Sequence, residues 1–338
     1  MTLRGFKDSR FYWPTILIAC VIGAFVLGRF TSDSFFAKKS VLYPLRAVSN
    51  EFKFTNPLLA VGDSEIFRDT TSLEKQLSEL IKDTTKKNGA DSVSVYWKDL
   101  KSVRWAGINE NALYAPASML KVALLMTYLK LAESQPDILS KKIIYKNAQK
   151  NDIKKSSSNL TALIDGETYT IADLLKFMII KSDNEAKGLL QQFISNEERS
   201  AIFNEISLKM PGLDDQGDIY SPKEYSIFFR ILYNSTYLTP VLSEAALNLL
   251  SQTEYKEGLA KGVPKETVVS HKFGIRIFKS LNSPQQAIEL HDCGIIYFPK
   301  YPYFLCVMTK GSDEAQLQNI IQNISSLVYK FSIETLGN

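Results

Sequence analysis

The order of the strand-like and helix-like segments constrains the fold of this 338-residue chain more than any other feature. Two short segments of alternating apolar and polar residues come first, a long helical region follows, and three further strand-like segments precede a last helix. The predicted strands are residues 92–97, 102–106, 267–273, 289–298 and 303–309, and the last helix spans residues 314–329. Consecutive strands joined by short turns pair antiparallel, so the sequence predicts an α+β fold and not a doubly wound α/β fold.

An uncharged run of 18 residues, from Phe11 to Gly28, departs from the globular composition of the rest of the chain. At about 1.5 Å per helical residue this run can just cross a hydrocarbon layer about 30 Å thick. Aromatic residues flank it at both ends, as they do at membrane interfaces. We therefore predict a transmembrane anchor over residues 11–30. Two alternatives stay open, a cleaved signal peptide and lipidation at Cys20.

The remaining composition argues against several kinds of partner. A net charge of +4 without a concentrated basic stripe argues against nucleic-acid binding. The two histidines stand singly in strand-like segments, and no spacing of ligands suggests zinc, so we expect neither a metal nor an organic cofactor.

Cys293 and Cys306 could face each other from neighbouring predicted strands, but two separate buried thiols are the favoured interpretation.

Ser118-Met-Leu-Lys121 stands at the start of a predicted buried helix, residues 119–133. Residues three apart share a helical face, so the lysine amine can reach the serine hydroxyl. A serine needs a neighbouring base to become a nucleophile, and a lysine among apolar side chains can serve, because burial disfavours its charged form. Ser72-Leu-Glu-Lys75 has the same spacing, but it lies in a charged predicted helix, residues 73–82, and we interpret it as surface.

Two further motifs follow in the chain. Ser182-Asp-Asn184 comes at the end of an apolar helical run that opens with a capping box at Thr170-Ile-Ala-Asp173. Lys272-Phe-Gly274 lies in the third predicted strand. The last pattern is common by chance, and its position within a strand, after the other two motifs, is what gives it weight. A second capping box, Ser221-Pro-Lys-Glu224, opens another predicted helix.

In this order the three motifs resemble the S-x-x-K, S-D-N and Lys-x-Gly signature of class A β-lactamases and penicillin-binding proteins. The resemblance extends over about residues 84–336. It implies a five-stranded antiparallel sheet flanked by helices, an all-helical subdomain, and an active site between them.

The resemblance also implies a role for each matching residue. Ser118 would attack an amide or lactam carbonyl and form an acyl-enzyme, with Lys121 as the candidate base. Ser182 would relay a proton towards the leaving nitrogen. Asn184 would bind the substrate and steady Lys121, and Lys272 would supply positive potential for Ser182 and for a substrate carboxylate.

The backbone N–H groups of Ser118 and Ile275, beside Gly274, would form the oxyanion hole. This chain departs from the family pattern at two places. Phe273 replaces the usual hydroxyl residue between Lys272 and Gly274, which puts classical penicillin affinity in doubt. Glu205, in Glu205-Ile-Ser-Leu-Lys209, is the nearest candidate for the base that activates the deacylating water, although Lys209 stands where the family has Asn.

We therefore predict a membrane-anchored serine hydrolase that acts on a β-lactam or a peptidoglycan-like peptide. The expected organisation is a cytoplasmic tail (1–10), the anchor (11–30), a juxtamembrane linker with the first helix (31–83) and the hydrolase domain (84–338). That domain would lie on the extracytoplasmic side of the plasma membrane. A catalytically silent scaffold or binding protein of the cell envelope is the alternative, and the oligomeric state stays open.

Overall fold

The computed structural model describes residues 53–55, 70–86, 90–146, 162–212, 217–279, 286–298 and 301–336. Its helices are α1 (Thr71–Lys86), α2 (Lys121–Ser134), α3 (Ile171–Ile180), α4 (Asn184–Gln192), α5 (Asn196–Glu205), α6 (Pro222–Tyr233), α7 (Pro240–Ser251) and α8 (Glu314–Leu336). Its strands are β1 (Ser92–Asp99), β2 (Trp105–Ile108), β3 (Lys142–Ile144), β4 (Thr168–Thr170), β5 (Val269–Lys279), β6 (Gln286–Ile296) and β7 (Tyr303–Gly311). Short 3₁₀ turns lie at Ala117–Leu120, Pro136–Ser140 and Leu259–Gly262.

Five strands form one antiparallel sheet in the order β2-β1-β7-β6-β5, and β3 and β4 form a separate two-stranded sheet. The predicted five-stranded antiparallel sheet is thereby confirmed. β1 lies in the interior of the sheet because it pairs with both β2 and β7. β5 is an edge strand, and it extends beyond the predicted residues 267–273 to Lys279.

Each face of the large sheet covers its own hydrophobic core. On one face, residues such as Val95 and Val307 pack with α1 and α8. On the other face, residues such as Tyr96 and Met308 pack with helices α2 to α7. The alternation of the strands produces this division, because successive side chains point to opposite faces. β5 contributes Val269 and Ile275 to the first of these cores, and among the described strands it pairs only with β6.

Both predicted capping boxes form. Thr170 accepts a hydrogen bond from the backbone of Asp173 at the start of α3, and Ser221 accepts one from the backbone of Glu224 at the start of α6. In each box the N3 carboxylate accepts a hydrogen bond from the N-cap backbone in return. Groups that the first helical turn would leave unpaired are therefore satisfied locally.

The first hairpin has a longer turn than the sequence predicts. The carboxylate of Asp99 accepts hydrogen bonds from the backbone of Lys101 (2.9 Å) and the hydroxyl of Ser102 (2.6 Å), and it also pairs with Arg104. These contacts hold residues 100–104 in the turn, and β2 consequently begins at Trp105 instead of Ser102.

Cys293 and Cys306 form a disulfide, so the prediction of two separate thiols is wrong. They occupy directly opposed positions on β6 and β7. The same register places Lys272 of β5 opposite Cys293. The sequence placed the cysteines in neighbouring strands, but only the register brings their sulfur atoms together.

The predicted anchor at residues 11–30 lies outside the described residues. Within the part of the chain that the structure describes, no helix has both the length and the apolar character needed to cross a bilayer. The segment Lys53–Thr55, inside the predicted linker, packs directly on the folded domain, with the Phe54 side chain in the core beside the helices.

Candidate active site

Ser118 lies in the 3₁₀ turn Ala117–Leu120, immediately before α2. Ala117 has a φ of +48°, in the left-handed region that non-glycine residues rarely adopt, so the chain turns sharply just before the serine. The hydroxyl of buried Tyr225 donates to the carbonyl of Met119 (2.9 Å) and supports the turn from below. Ser118 itself is partly exposed. The fold therefore presents its hydroxyl at an accessible surface.

Lys121 lies beneath this serine with 1% of its surface exposed. Its Nζ atom is 3.1 Å from Ser118 Oγ, which confirms that the side chains of the motif meet. The meeting follows from local geometry, because a 3₁₀ turn has about three residues per turn and aligns residues i and i+3. Lys121 Nζ also lies 2.7 Å from Asn184 Oδ1, 3.1 Å from Ser182 Oγ and 2.5 Å from the Ser182 carbonyl oxygen.

Ser182 and Asn184 belong to a tight connection between α3 and α4. Ser182 has a φ of +57°, and Asp183 then caps α4 by accepting a hydrogen bond from the backbone of Ala186 (2.7 Å). The turn ends the helical run close to the position that the sequence predicts, and α4 begins directly after it. Its backbone direction aims the carbonyl and hydroxyl of Ser182 at Lys121.

Lys272 reaches the same point from β5. Its Nζ atom is 2.9 Å from Ser182 Oγ, so this one hydroxyl lies between the two lysines. Burial, and secondarily the charge of Lys121, hold the pKa of Lys272 well below its ordinary value, while Asp292 opposes the shift. The neutral amine form of Lys272 is thus favoured more than in an exposed lysine.

The two lysines allow a consistent assignment of hydrogen bonds. The Ser182 carbonyl and Asn184 Oδ1 are acceptors only, so they take two N–H groups of Lys121. In the neutral amine, the remaining lone pair is then available to the proton of Ser118. In the charged form, the third N–H can return a proton to Ser118 or Ser182. The arrangement can therefore move a proton to and from the serine hydroxyl.

Gly274 brings β5 against the turn that carries Ser118. A Cβ atom at this position would lie 2.5 Å from the carbonyl oxygen of Pro116 and 3.0 Å from Met119 Cγ. A side chain would therefore separate the strand from the turn. The next residue, Ile275, is partly buried on the same edge strand. The backbone N–H groups of Ile275 and Ser118 as an oxyanion hole stay a prediction.

Glu205 is not brought to this group of residues. It is the exposed last residue of α5 and lies close enough to Tyr237 to contribute to raising the pKa of that phenol, after the larger effect of burial. Tyr237 contacts Lys130, whose Nζ atom donates to the Tyr237 carbonyl over 3.0 Å. Lys130 lies nine positions beyond Lys121 on α2, or roughly 13 Å along a helix. Glu205 is thus within electrostatic reach of Tyr237, which contacts α2 at Lys130.

Tyr255 is a site residue that the sequence does not reveal. Its ring stacks on that of Phe273, with centroids 4.0 Å apart and planes 19° apart. Lys272 Nζ lies over the Phe273 ring, 4.2 Å from its centroid. Tyr255 follows α7 in a connecting loop, and no local pattern marks it. Only Phe273, as a departure from the motif, gives a signal in the sequence.

The model of the β-lactamase enzyme family matches residues 72–332, which is most of the chain. The chain belongs to this family. The family match extends from the first described helix to the last, and it includes every residue of the site just described. The resemblance inferred from the three motifs is therefore confirmed.

Several solved structures have the same fold. A PBP-A variant, described as an acyl-enzyme complex with penicillin G, matches with a TM-score of 0.65 and 18% identity over 80% of this chain and 100% of its own. The TLA-1 extended spectrum β-lactamase matches with a TM-score of 0.67 and 19% identity, over 79% of this chain and 100% of its own. A class A β-lactamase from Mycobacterium abscessus matches with a TM-score of 0.63 and 18% identity, over 76% of this chain and 98% of its own. A comparison with curated protein sequences gave no significant match.

Proposed function

We propose that this chain is a membrane-anchored serine hydrolase that acts through an acyl-enzyme. One observation carries the proposal. Ser118, Lys121, Ser182, Asn184 and Lys272 come from three separate parts of the chain, and they form one hydrogen-bonded cluster around an accessible hydroxyl. A scaffold would have no need of two buried lysines, which are costly to bury unless their polar groups are paired.

The geometry supports the following acylation step. Ser118 Oγ attacks the carbonyl carbon of an amide while its proton passes to Lys121. The predicted N–H groups of Ser118 and Ile275 stabilise the negative charge that develops on the carbonyl oxygen. Ser182, hydrogen-bonded to Lys272, delivers a proton to the leaving nitrogen as the C–N bond breaks. A new ester then links the acyl group to Ser118.

The position of Glu205 favours slow deacylation. An acyl-enzyme is hydrolysed quickly only when a base activates the attacking water. Glu205 acts on the pKa of Tyr237, and we infer that it is not this base. We accordingly expect a long-lived acyl-enzyme, as in a penicillin-binding protein, with amides of the β-lactam or peptidoglycan-peptide kind as substrates. The PBP-A structure trapped with penicillin G supports this expectation by analogy.

The membrane anchor at residues 11–30 and the extracytoplasmic position of the domain belong to the same proposal. Both rest on the uncharged N-terminal run and on the location of cell-wall peptides.

A fluorophosphonate probe tests the proposed nucleophile, because it phosphonylates activated serines without needing a carboxylate. The full-length protein in detergent is treated and its mass and modified peptide are determined. We expect one adduct, on Ser118, that Ser118→Ala abolishes. Ser72→Ala is the matched control, since Ser72 has the same spacing to a lysine but is exposed on the surface of α1, and the change should have no effect. An unmodified wild-type protein would refute the enzyme proposal in favour of the scaffold.

A further inference from the structure

Lys272 has little capacity to bind a substrate directly. It is 0% exposed, and its Nζ atom already donates to Ser182 Oγ (2.9 Å) and to the carbonyl oxygen of Phe273 (3.2 Å). A lysine has three N–H groups, so two of them are engaged within the protein. The depressed pKa of Lys272 further weakens its attraction for an anion.

The Phe273 ring covers the remaining approach to this ammonium group. Lys272 Nζ lies 4.2 Å from the ring centroid, which is a cation–π distance. Phe273 is partly exposed whereas Lys272 is fully buried, so the ring is the solvent-facing member of this pair on the edge strand β5.

Tyr255 fixes the ring in that position. The two rings are nearly parallel at 4.0 Å, and Tyr255 is itself half-buried. The Tyr255 ring in turn packs over Gly258, where an added Cβ would lie 2.9 Å from Tyr255 Cε1. We call Phe273 and Tyr255 the aromatic lid. A lid held by stacking and by close backbone packing does not swing aside freely when a substrate approaches.

A carboxylate placed against the aromatic lid would lose hydration without gaining an ion pair. An uncompensated buried charge is strongly unfavourable, whereas a neutral ester or amide loses little there. We propose that the aromatic lid makes this site select acyl donors without a carboxylate beside the scissile bond, such as esters or internal peptide bonds, over penicillin-like acids. This inference rests on the proposed function and narrows its substrate class.

Penicillin G and its methyl ester form the decisive pair of probes, because they differ only in the carboxylate. Acylation rates of the full-length protein are measured by intact mass, with the fluorophosphonate as a reference for a competent Ser118. We expect the ester to react at least about tenfold faster than the acid, which corresponds to about one charge-assisted hydrogen bond. Acylation by the acid at an equal or higher rate would overturn the inference while leaving the serine hydrolase proposal intact.

Variants of the lid separate its effect from that of a new hydroxyl. Phe273→Thr and Phe273→Ala both uncover Lys272, and only the first adds a hydroxyl. We expect the acid to gain at least about tenfold relative to the ester in both variants. Phe278→Thr is the matched control, since Phe278 is also a partly exposed phenylalanine of β5 but contacts Arg276 and Lys310, and it should leave the ratio unchanged.

The remaining outcomes are equally decisive. An unchanged ratio in both Phe273 variants would overturn the lid as the selecting element. No reaction of the ester, with the fluorophosphonate still attached to Ser118, would also overturn the inference, because the lid would then exclude more than a carboxylate. Failure of all three reagents would overturn this inference and the proposed function together.

Discussion

Lys272 Nζ lies 2.9 Å from Ser182 Oγ, although 90 positions separate the two residues in the chain. Lys121 Nζ approaches the same hydroxyl to 3.1 Å. A single neutral oxygen therefore lies between two amines that would otherwise face each other in the interior. The Ser182 hydroxyl therefore has a role that neither lysine can fill alone, because a hydroxyl can accept a hydrogen bond from one amine while it donates its own proton elsewhere.

Ser182→Ala should slow acylation of Ser118 by about 10²-fold or more, since proton transfer by a positioned group contributes about 10² to 10⁴ in rate. The measurement is the rate at which penicillin G methyl ester, whose leaving group is the lactam nitrogen, acylates Ser118, followed by intact mass. Ser235→Ala is the control, because Ser235 also has a positive φ (+51°) while its hydroxyl has no hydrogen-bond partner among the described residues. Equal acylation rates of the Ser182 and Ser235 variants would remove Ser182 from the mechanism.

Gly274→Ala should abolish most labelling of Ser118, because the added methyl group would push β5 away from the Pro116 carbonyl and the nucleophile turn. Gly188→Ala is the contrasting change. Gly188 lies inside α4 with nothing within 4 Å of an added Cβ, so alanine should stabilise the protein by about 0.5–1 kcal/mol. Labelling rate and melting temperature are measured for both. A fully active Gly274→Ala enzyme would show that the close approach of β5 is dispensable.

Phe54→Ala should lower the free energy of unfolding by about 3 kcal/mol, as for other buried phenylalanines. Phe54 is 5% exposed, and its ring meets that of Tyr297 edge to face with centroids 5.2 Å apart. The backbone N–H groups of residues 53–55 all donate to the carboxylate of Glu244, so the segment is held at several points.

Urea unfolding of the full-length protein measures this effect. Lys53→Ala is the matched control, because the Lys53 side chain is exposed and its backbone N–H remains, and it should change stability by less than about 0.5 kcal/mol. Equal stabilities for the two variants would show that the Phe54 side chain adds nothing to the stability of the fold.

His291 should make the protein less stable in acid. It is fully buried on β6, and burial lowers its pKa from 6.5 to about 3. Between these two pH values His291 is protonated in the unfolded chain but neutral in the folded chain. Stability is therefore lost as the pH falls from about 6.5 towards 3. One proton corresponds to about 1.4 kcal/mol per pH unit.

The test is the slope of unfolding free energy against pH for the wild type and His291→Gln. Between about pH 6.5 and 3 the slope for the variant should be smaller than the wild-type slope by the equivalent of about one bound proton. Any packing cost of the substitution shifts the curve without changing its slope. Parallel curves would contradict the assignment.

The sequence by itself determined features that depend on residues within one or two helical turns. The capping boxes at Thr170 and Ser221 form as predicted, since their partners lie three positions away. The contact between Ser118 and Lys121 was predictable for the same reason. The order of the strands and helices also sufficed for the antiparallel sheet, because short connections leave neighbouring strands few other ways to pair.

Only the tertiary structure decided which distant residues meet. The register of β6 and β7 pairs Cys293 with Cys306, and the packing of a loop onto β5 stacks Tyr255 on Phe273. Likewise Glu205, near in sequence to the second motif, acts on the pKa of Tyr237, while Phe54 enters the core from the linker. Such contacts depend on register and on the packing of whole elements. No local sequence pattern specifies the register or this packing. A shift of one residue in a strand would turn every side chain to the opposite face.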